Sequence, residues 1–448
     1  MLIKLSVENF KSFNELVEFS MIESNKYRDK GNHKIKIQNA DILKHAVIYG
    51  ANASGKSNLI EVLDFIQVCL KENISVLFQD LFCKIYQENK SRPSKFELQF
   101  SVGDKVYAYG FSAKLSERIF TEEWLYELTS SGKAIRIFEK VTGEKIEFGE
   151  FLQKNKEDFY RLNTYVQDFS ENTGELFIKE LNRNKKFGDD SLLKVFNDVY
   201  GWLTKNILVI TPSSALMDFS FYTEESTDKI CDVIKTFDTG VTQIDIREIT
   251  VEQLRNSVPK ELFADVMQEI KKAVESENKK PVQITIRSQV DYFTIKVEAD
   301  GTVKITTLSL KHGNAFFDFI FKEESDGTRR LFEILDLLFV KNDDVVFAVD
   351  ELERSLHPKL IQRFLELFNE RYSKKKTQLI FTTHESSIMD LDIFRRDEIW
   401  FVERNKDNVS SIYSLDVFKE RYDKKLSKAY LDGRYGAIPV FQNFSFEE

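Results

Sequence analysis

The sequence predicts an α/β fold: a head built on a parallel sheet, with an antiparallel β flank and an inserted, mostly helical lobe. Three short apolar runs, residues 46–49, 345–349 and 378–382, each lead into polar or glycine-rich residues, as buried parallel strands do. Residues 95–111 instead alternate apolar and polar side chains around a Gly-Asp turn, which indicates an antiparallel hairpin. Helical periodicity dominates residues 192–277 and predicts the inserted lobe.

The composition is that of a globular protein with more than one domain. The chain has 448 residues, 42% of them hydrophobic, and we expect a head N-terminal lobe at 1–142, an inserted helical lobe at 143–280 and a head C-terminal lobe at 281–448. The formal net charge of -9 argues against a generally basic nucleic-acid binder. Local basic clusters at 184–186 and 374–376 resemble ordinary solvated surface.

Cysteine usage and hydropathy bear on the cellular compartment. Cys69, Cys83 and Cys231 match no metal-ligand spacing, which is typical of reduced thiols in an intracellular protein. The first ten residues alternate like a strand and lack the apolar core of a signal peptide. No apolar run reaches the length of a membrane span. We therefore expect a cytoplasmic protein without membrane contact.

The first chemical motif joins a strand to a helix. Gly50 to Ser57 reads GANASGKS, the G-x-x-x-x-G-K-[ST] pattern of a phosphate-binding loop. Gly50 and Gly55 allow the tight backbone, Lys56 can reach the β- and γ-phosphates of a nucleotide, and Ser57 offers a hydroxyl to Mg²⁺. The predicted nucleotide-binding residues of this loop are Gly50, Asn52, Ser54, Gly55, Lys56, Ser57 and Asn58.

The inserted region mixes helices with short strands. Helices are expected at 192–203, 226–237 and 250–277, with strands at 206–210 and 241–249. The last helix is predicted to be continuous, with one apolar face formed by Leu254, Val258, Leu262, Val266, Ile270 and Val274. This lobe is either a scaffold or a docking surface for a partner.

Two further motifs follow in the C-terminal part. Ser325-Asp326-Gly327 opens an apolar helix, where a hydroxyl and backbone N–H groups can bind an anion. The apolar strand 345–349 ends in Asp350 and Glu351, the Walker B pattern. Asp350 is placed to hold Mg²⁺ through water, and Glu351 can act as the general base that polarises an attacking water.

The order of these motifs resembles the ABC/RecF/SMC superfamily of P-loop ATPases. The NFKSF segment at 9–13 resembles the element that precedes the nucleotide site in that group, and residues 352–358 resemble its D-loop. The resemblance implies an ABC-type ATPase head that binds ATP and Mg²⁺ and works as a head-to-tail homodimer. It also implies that Ser325 and Gly327 form the signature motif, which binds the γ-phosphate held by the partner, and that His384 senses that phosphate.

The tail narrows the resemblance to one group. Segments 394–403 and 430–439 resemble the closing segments of compact prokaryotic ABC-type ATPases linked to abortive infection, a group that includes RloA, AbiL and the ATPase of the PARIS system. This implies an anti-phage sensor or regulator that acts through a separate effector, such as a TOPRIM-type nuclease, with a homodimer or a higher assembly of dimers.

Other functions stay open at this point. A RecF-like repair clamp would use the same dimer to bind DNA or RNA directly. Asp390-Leu391-Asp392 has the look of a nuclease metal site, but the chain after His384 is too short for a TOPRIM domain, which favours helix capping. A transporter's ATPase subunit is disfavoured by the large insertion. The glutamine that ABC-type enzymes carry between their lobes could be Gln99 or Gln167.

Overall fold

The structure is a computed structural model that describes residues 1–24, 30–166, 169–212, 227–275, 282–287, 292–418 and 426–439. It contains two compact units. The first comprises Met1–Pro212, Asn342–Leu352 and Tyr372–Glu448, and the second comprises Ser213–Lys341 and Glu353–Arg371. The segment predicted as an inserted lobe contributes to both units, and the predicted boundaries at 143 and 280 remain predictions.

The described residues contain the following strands and helices. The strands are β1 (Leu2–Glu8), β2 (Val17–Ser20), β3 (Lys34–Ile37), β4 (Ala40–Leu43), β5 (His45–Tyr49), β6 (Ser94–Val102), β7 (Lys105–Lys114), β8 (Ile119–Leu128), β9 (Ala134–Val141), β10 (Glu147–Phe148), β11 (Ile207–Ile210), β12 (Val241–Glu248), β13 (Val282–Arg287), β14 (Tyr292–Val297), β15 (Val303–His312), β16 (Phe319–Ile320), β17 (Val346–Val349), β18 (Gln378–Thr382), β19 (Ile399–Arg404) and β20 (Ser410–Ser414). The helices are α1 (Lys56–Lys71), α2 (Lys156–Val166), α3 (Phe177–Asn182), α4 (Lys194–Lys205), α5 (Thr227–Lys235), α6 (Val251–Ser257), α7 (Lys260–Glu275), α8 (Asp326–Leu335), α9 (Pro358–Arg371) and α10 (Leu426–Leu431). Within the described part of the chain, every helix is too short or too polar to cross a membrane.

A mostly parallel sheet forms the centre of the first unit. Its strand order is β11-β17-β18-β5-β19-β20, and β20 runs antiparallel to β19. Strands β5, β17 and β18 are buried along their whole length, as expected for a parallel sheet that is covered on both faces. The register sets Ile48 beside Thr382 and Phe381 beside Val349. The carboxyl ends of these three strands therefore meet at one edge of the sheet.

An antiparallel sheet forms the predicted β flank of the same unit. Its order is β10-β9-β8-β7-β6-β1-β2. Gly103 has a φ of +61° in the turn between β6 and β7, a conformation that glycine adopts without steric cost. Helix α1 buries Phe65 in the core, where its ring centroid lies 5.3 Å from that of Phe10 and 5.0 Å from that of Phe96. The α/β class with an antiparallel flank is confirmed.

The second unit has its own sheet and core. The strand order is β12-β15-β14-β13, with β16 paired to β15. Helices α6 and α7 contribute Leu254, Val266 and Ile270 to a hydrophobic cluster with Phe293 and Ile295 of β14. The strand expected at 241–249 is therefore present as β12.

The prediction of one continuous helix over residues 250–277 is wrong. The chain is divided into α6 and α7 because Pro259 disfavours helical backbone at the preceding residue, and Val258 is extended with φ -117° and ψ 156°. The break also changes the buried face. Leu262 and Val274, placed on the apolar stripe by the continuous pattern, are 39% and 46% exposed.

A buried carboxylate links the antiparallel sheet to the segment that follows it. Glu123 of β8 is fully buried and accepts hydrogen bonds from the backbone N–H groups of Phe177 and Ile178 and from the Tyr109 hydroxyl. Burial raises the pKa of Glu123 to about 7, although these donors oppose the shift. The folded protein therefore binds a proton at Glu123 more tightly than the unfolded chain does.

Glu123 should make stability depend on pH in the neutral range. Because its folded pKa is raised, the stabilising effect is complete below the unfolded pKa of 4.5 and is lost as the pH rises through about 7. The full change is on the order of 3 kcal/mol. We expect the free energy of unfolding to fall between pH 5 and pH 8, and Glu123→Gln to flatten this slope. The matched control is Glu122→Gln on the exposed neighbour; equal slopes in the wild type and Glu123→Gln would contradict the prediction.

Candidate phosphate-binding site

The predicted phosphate loop connects β5 to α1. Gly55 has a φ of +103° directly before the helix, which a residue with a side chain rarely adopts. Gly50 is required for space, because a Cβ there would lie 2.4 Å from the carbonyl oxygen of Val402. The helix begins at Lys56, so its first backbone N–H groups have no acceptor within the helix and are directed toward the loop. These features form a cradle for an anion at a helix N-terminus.

Lys56 spans the loop from its first helical position. Its Nζ donates hydrogen bonds to the carbonyl oxygens of Gly50 at 2.8 Å and Ala51 at 3.0 Å. The residue is only 5% exposed. The ammonium group is therefore held at the loop itself, where it can exchange a carbonyl for a phosphate oxygen.

A cavity of about 400 Å³ lies above the loop and includes two residues from the neighbouring strands. Glu351, after β17, and His384, after β18, line it together with the loop. The lining residues are Asn52, Ala53, Ser54, Gly55, Lys56, Ser57, Asn58, Glu351 and His384. Six of the seven predicted loop residues, the predicted base and the predicted histidine thus share one cavity, and Gly50 begins the loop.

The acidic pair is fixed by a threonine on the adjacent strand. Asp350 is 6% exposed, and its Oδ1 accepts a hydrogen bond from the Thr382 hydroxyl at 2.6 Å. The same hydroxyl accepts from the backbone N–H of Glu351 at 2.8 Å. Glu351 has a φ of 50°, an uncommon conformation for a residue with a long side chain. The turn that follows β17 therefore places a buried carboxylate beside the cavity and a second one within its lining.

Two serines behind the loop were not predicted from the sequence. Ser410 donates its hydroxyl proton to the carbonyl oxygen of Ser54 at 2.6 Å, and its oxygen lies 2.7 Å from the Ser12 hydroxyl, which can donate to it. The Asn58 amide also donates to Ser12, at 2.6 Å. A Cβ at Gly55 would lie within 2.7 Å of both serine oxygens. The side chain of Asn58 is thus used to fix the loop, and only the NFKSF segment gave a local signal for Ser12.

Lys11, next to Ser12, adds a cation to this region. Burial lowers the pKa of Lys11, and the negative charge of Asp350 opposes that shift. Lys11 also forms an ion pair with Glu61 of α1. The NFKSF segment therefore brings both a hydroxyl and a lysine to the neighbourhood of the loop and the acidic pair.

The predicted anion-binding helix lies in the second unit. Ser325 is exposed and caps α8, since its hydroxyl accepts a hydrogen bond from the Thr328 N–H at 3.1 Å. Gly327 permits a close approach, because a Cβ there would lie 2.8 Å from the carbonyl oxygen of Ser355. Ser355 belongs to the predicted D-loop and has a φ of 62°. The signature-like segment and the D-loop-like segment are therefore packed together.

Other candidates from the sequence have ordinary structural roles. The side chain of Asp390 accepts a hydrogen bond from the N–H of Asp392 at 2.9 Å, a local turn that supports the capping interpretation. One lysine of each basic cluster contacts a carboxylate: Lys375 lies 2.5 Å from Asp343, and Lys185 pairs with a glutamate of α3. Of the two glutamines, Gln99 donates to Glu97 at 3.2 Å, and Gln167 lies outside the described residues.

The chain matches a protein family over most of the regions that form the site. The family is described as "AAA domain, putative AbiEii toxin, Type IV TA system", and its model matches residues 46–193 and 237–390. These two segments make up more than half of the chain and contain the loop, the acidic pair and His384. No curated protein matches the sequence.

Solved structures with a similar fold are SMC heads. An SMC head bound to the C-winged helix domain of ScpA is 14% identical, with 96% of this chain and 99% of that chain covered and a TM-score of 0.43. The SMC head domain from Thermotoga maritima is 14% identical, with 92% and 98% covered and a TM-score of 0.37. An SMC head with an extended coiled coil, derived from Pyrococcus furiosus, is 13% identical, with 97% and 98% covered and a TM-score of 0.36.

Proposed function

The chain belongs to the family of AAA domains described as putative AbiEii toxin, Type IV TA system, and from that premise we propose that it hydrolyses ATP as a nucleotide-gated dimer switch. The fold and the motif order are those of a P-loop ATPase of the ABC/SMC kind. The observation that carries the proposal is the single cavity that contains the phosphate loop together with Glu351 and His384. Such a cavity combines binding, acid–base and sensing groups.

Each side chain in the site has a role that its position permits. The loop N–H groups and the Lys56 ammonium bind the nucleotide phosphates, in place of the carbonyl contacts that Lys56 makes now. The Ser57 hydroxyl and Asp350 would hold Mg²⁺, which supplies charge neutralisation at the phosphates. Glu351 accepts a proton from water as the general base, and His384 contacts the terminal phosphate. Thr382 orients both acidic residues through one hydroxyl.

We assign the second half of each site to a second copy of the chain. The N-terminus of α8 is solvent-accessible in its own unit, with Ser325 and Asp326 exposed and Gly327 half-buried. Its hydroxyl and N–H groups suit an anion, and a dimer would let them contact the phosphate held by the partner's Lys56. ATP can drive this closure because it contacts both copies only in the closed state.

The proposed biological role is control of a separate effector in anti-phage defence. The family description names a putative toxin of a toxin–antitoxin system, which supports a defence context. The resemblance of segments 394–403 and 430–439 to abortive-infection ATPases points the same way. The competing function, a RecF-like clamp that binds DNA or RNA directly, gains no support from Lys375 and Lys185 of the basic clusters, since both contact carboxylates.

Ser325→Arg should prevent ATP-driven dimerisation without preventing nucleotide binding by the monomer. The arginine would occupy the position of the partner's phosphate, so the closed state loses its contact. We would measure native mass with ATP and Mg²⁺ in a Glu351→Gln background, with and without nuclease treatment. With Ser325 in place, we expect the Glu351→Gln protein to form an ATP-dependent dimer free of nucleic acid. With Ser325→Arg added, we expect a monomer that still binds ATP.

Two control variants test whether an effect of Ser325→Arg comes from the added charge or from the lost helix cap, rather than from the dimer interface. Asn314→Arg adds the same charge at another exposed position of the second unit, and Ser325→Asn keeps a helix-capping side chain. Both should dimerise. An intact ATP-bound dimer of Ser325→Arg would refute the trans site, and a complex that loses mass on nuclease digestion would favour the nucleic-acid clamp.

A further inference from the structure

Three buried side chains meet at the edge of the parallel sheet opposite the phosphate loop. His45 begins β5, Glu398 directly precedes β19, and His33 lies just before β3. They are 2%, 0% and 4% exposed. Neither histidine nor this glutamate has a part in the nucleotide site, which lies at the carboxyl ends of the same strands.

The distances among these three side chains are short. The Nδ1 of His33 lies 3.0 Å from each carboxylate oxygen of Glu398. The Nδ1 of His45 lies 3.4 Å from Oε1 of Glu398. One potential ligand atom from each residue lies within 4.8 Å of the others. Two imidazoles and a carboxylate thus converge on one point from three separate segments of the chain.

The two histidine–carboxylate separations are close to those of ligands that share a metal ion. Zinc binds histidine nitrogen and carboxylate oxygen at about 2.0–2.1 Å in tetrahedral geometry, which sets neighbouring ligand atoms roughly 3.3 Å apart. The contact of His45 with Glu398 is longer than the usual N–H···O hydrogen bond, about 2.7–3.2 Å. Positive charge close by also stabilises a buried carboxylate. A divalent cation would satisfy both the spacing and the charge.

We propose that His33, His45 and Glu398 form a structural site for a divalent transition metal, with Zn²⁺ the best match. Two neutral imidazoles and one carboxylate suit Zn²⁺ better than Mg²⁺ or Ca²⁺, which prefer oxygen ligands. Because both oxygens of Glu398 lie near His33, the carboxylate can supply the fourth donor atom as well. The deep burial of all three residues points to a closed structural site rather than to a catalytic one.

Neighbouring groups hold the carboxylate in place, as outer ligands do around protein metal sites. The backbone N–H of Arg395 donates to Oε2 of Glu398 at 2.7 Å. The Arg395 guanidinium is in turn held by Asp397 at 2.9 Å and Glu23 at 2.7 Å. Such outer contacts orient a ligand and contribute to metal affinity. The bound metal would fasten the segment around His33 to β5, the strand that leads into the phosphate loop.

The test is a measurement of bound metal on the full chain, purified without a histidine tag and free of nucleotide. After equilibration with Zn²⁺ and removal of the excess, we expect about one equivalent per chain by elemental analysis. Co²⁺ should replace it and give the visible absorption of a tetrahedral site. Because the metal binds the folded state only, its removal by a chelator should lower the melting temperature.

Substitutions of the proposed ligands then test where the metal binds. Glu398→Gln and His33→Gln should each weaken binding at least tenfold, the lower bound set by losses of outer-shell partners alone. His357→Gln, at a histidine of the second unit, should bind like the wild type. Should the variants fail to fold, X-ray absorption of the wild-type Zn²⁺ complex tests the proposed ligands. It should show two imidazole ligands.

Two results would overturn the site. One is a folded wild-type chain that retains no Zn²⁺ and shows no change of melting temperature with Zn²⁺ or chelator. The positive charge would then come from Arg395 and Lys30, whose charges interact with Glu398. The other is metal binding that survives both Glu398→Gln and His33→Gln unchanged, which would locate the metal elsewhere.

Discussion

Lys56→Ala should abolish detectable ATP binding and lower ATP turnover by roughly 10²–10³-fold, the usual loss when one donor to a developing negative charge is removed. Lys56 is the cation of the loop, and its Nζ is held within the loop, 2.8 Å from the Gly50 carbonyl oxygen. Alanine leaves the backbone cradle but removes the charge. Binding would be measured with a fluorescent ATP analogue and turnover by phosphate release.

The control for Lys56→Ala is Lys71→Ala, which removes an exposed lysine from the last turn of the same helix. It should leave binding and turnover unchanged. Thermal unfolding of both variants tests whether the loss of the two carbonyl contacts of Lys56 has disturbed the fold. Unchanged turnover in a folded Lys56→Ala protein would remove the phosphate loop from the proposed function.

Glu351→Gln should bind ATP normally and hydrolyse it about 10²–10⁴-fold more slowly, the usual contribution of a general base. The amide keeps the size of the side chain and the backbone contact with Thr382, but it cannot accept a proton. A rapid-quench experiment with a single turnover of ATP would measure the chemical step. Retained binding with slow hydrolysis is the pattern of a group that acts in the transition state.

Glu385→Gln is the matched control, since this half-buried glutamate follows His384 and caps a short turn through Ser387. It should hydrolyse ATP at the wild-type rate. Normal turnover of Glu351→Gln would assign the base to another residue. A loss of ATP binding in Glu351→Gln would instead give Glu351 a structural role in the cavity.

Sequence patterns predicted the parts of the site that depend on neighbouring residues. A glycine-rich loop between a buried strand and an amphipathic helix is recognisable locally, and so is the strand that ends in Asp350 and Glu351. Parallel strands bring their carboxyl ends together, so the loop, the acidic pair and His384, which each follow such a strand, lie at one edge of the sheet. The loop, Glu351 and His384 accordingly line one cavity.

Contacts between distant segments could not be predicted in this way. Ser410 supports the loop from a hairpin near the other end of the sequence, and a serine in a strand has no periodicity that marks such a role. The contact of His33 with Glu398 could not be predicted for the same reason, because the two residues lie far apart in the sequence. The interruption at Pro259 is a local signal that the apolar repeat on either side of it does not show.

The position of β5 in the sheet has a consequence for how the protein is made. This strand is synthesised well before β18 and β19, yet it lies between these two strands in the sheet. Contacts of such long sequence separation slow folding and expose apolar segments meanwhile. Because Ser410 also contacts the loop, a nascent chain cannot complete its phosphate site until Ser410 has been synthesised. Nucleotide binding would thus report that the chain has been fully translated through the last strand of the sheet.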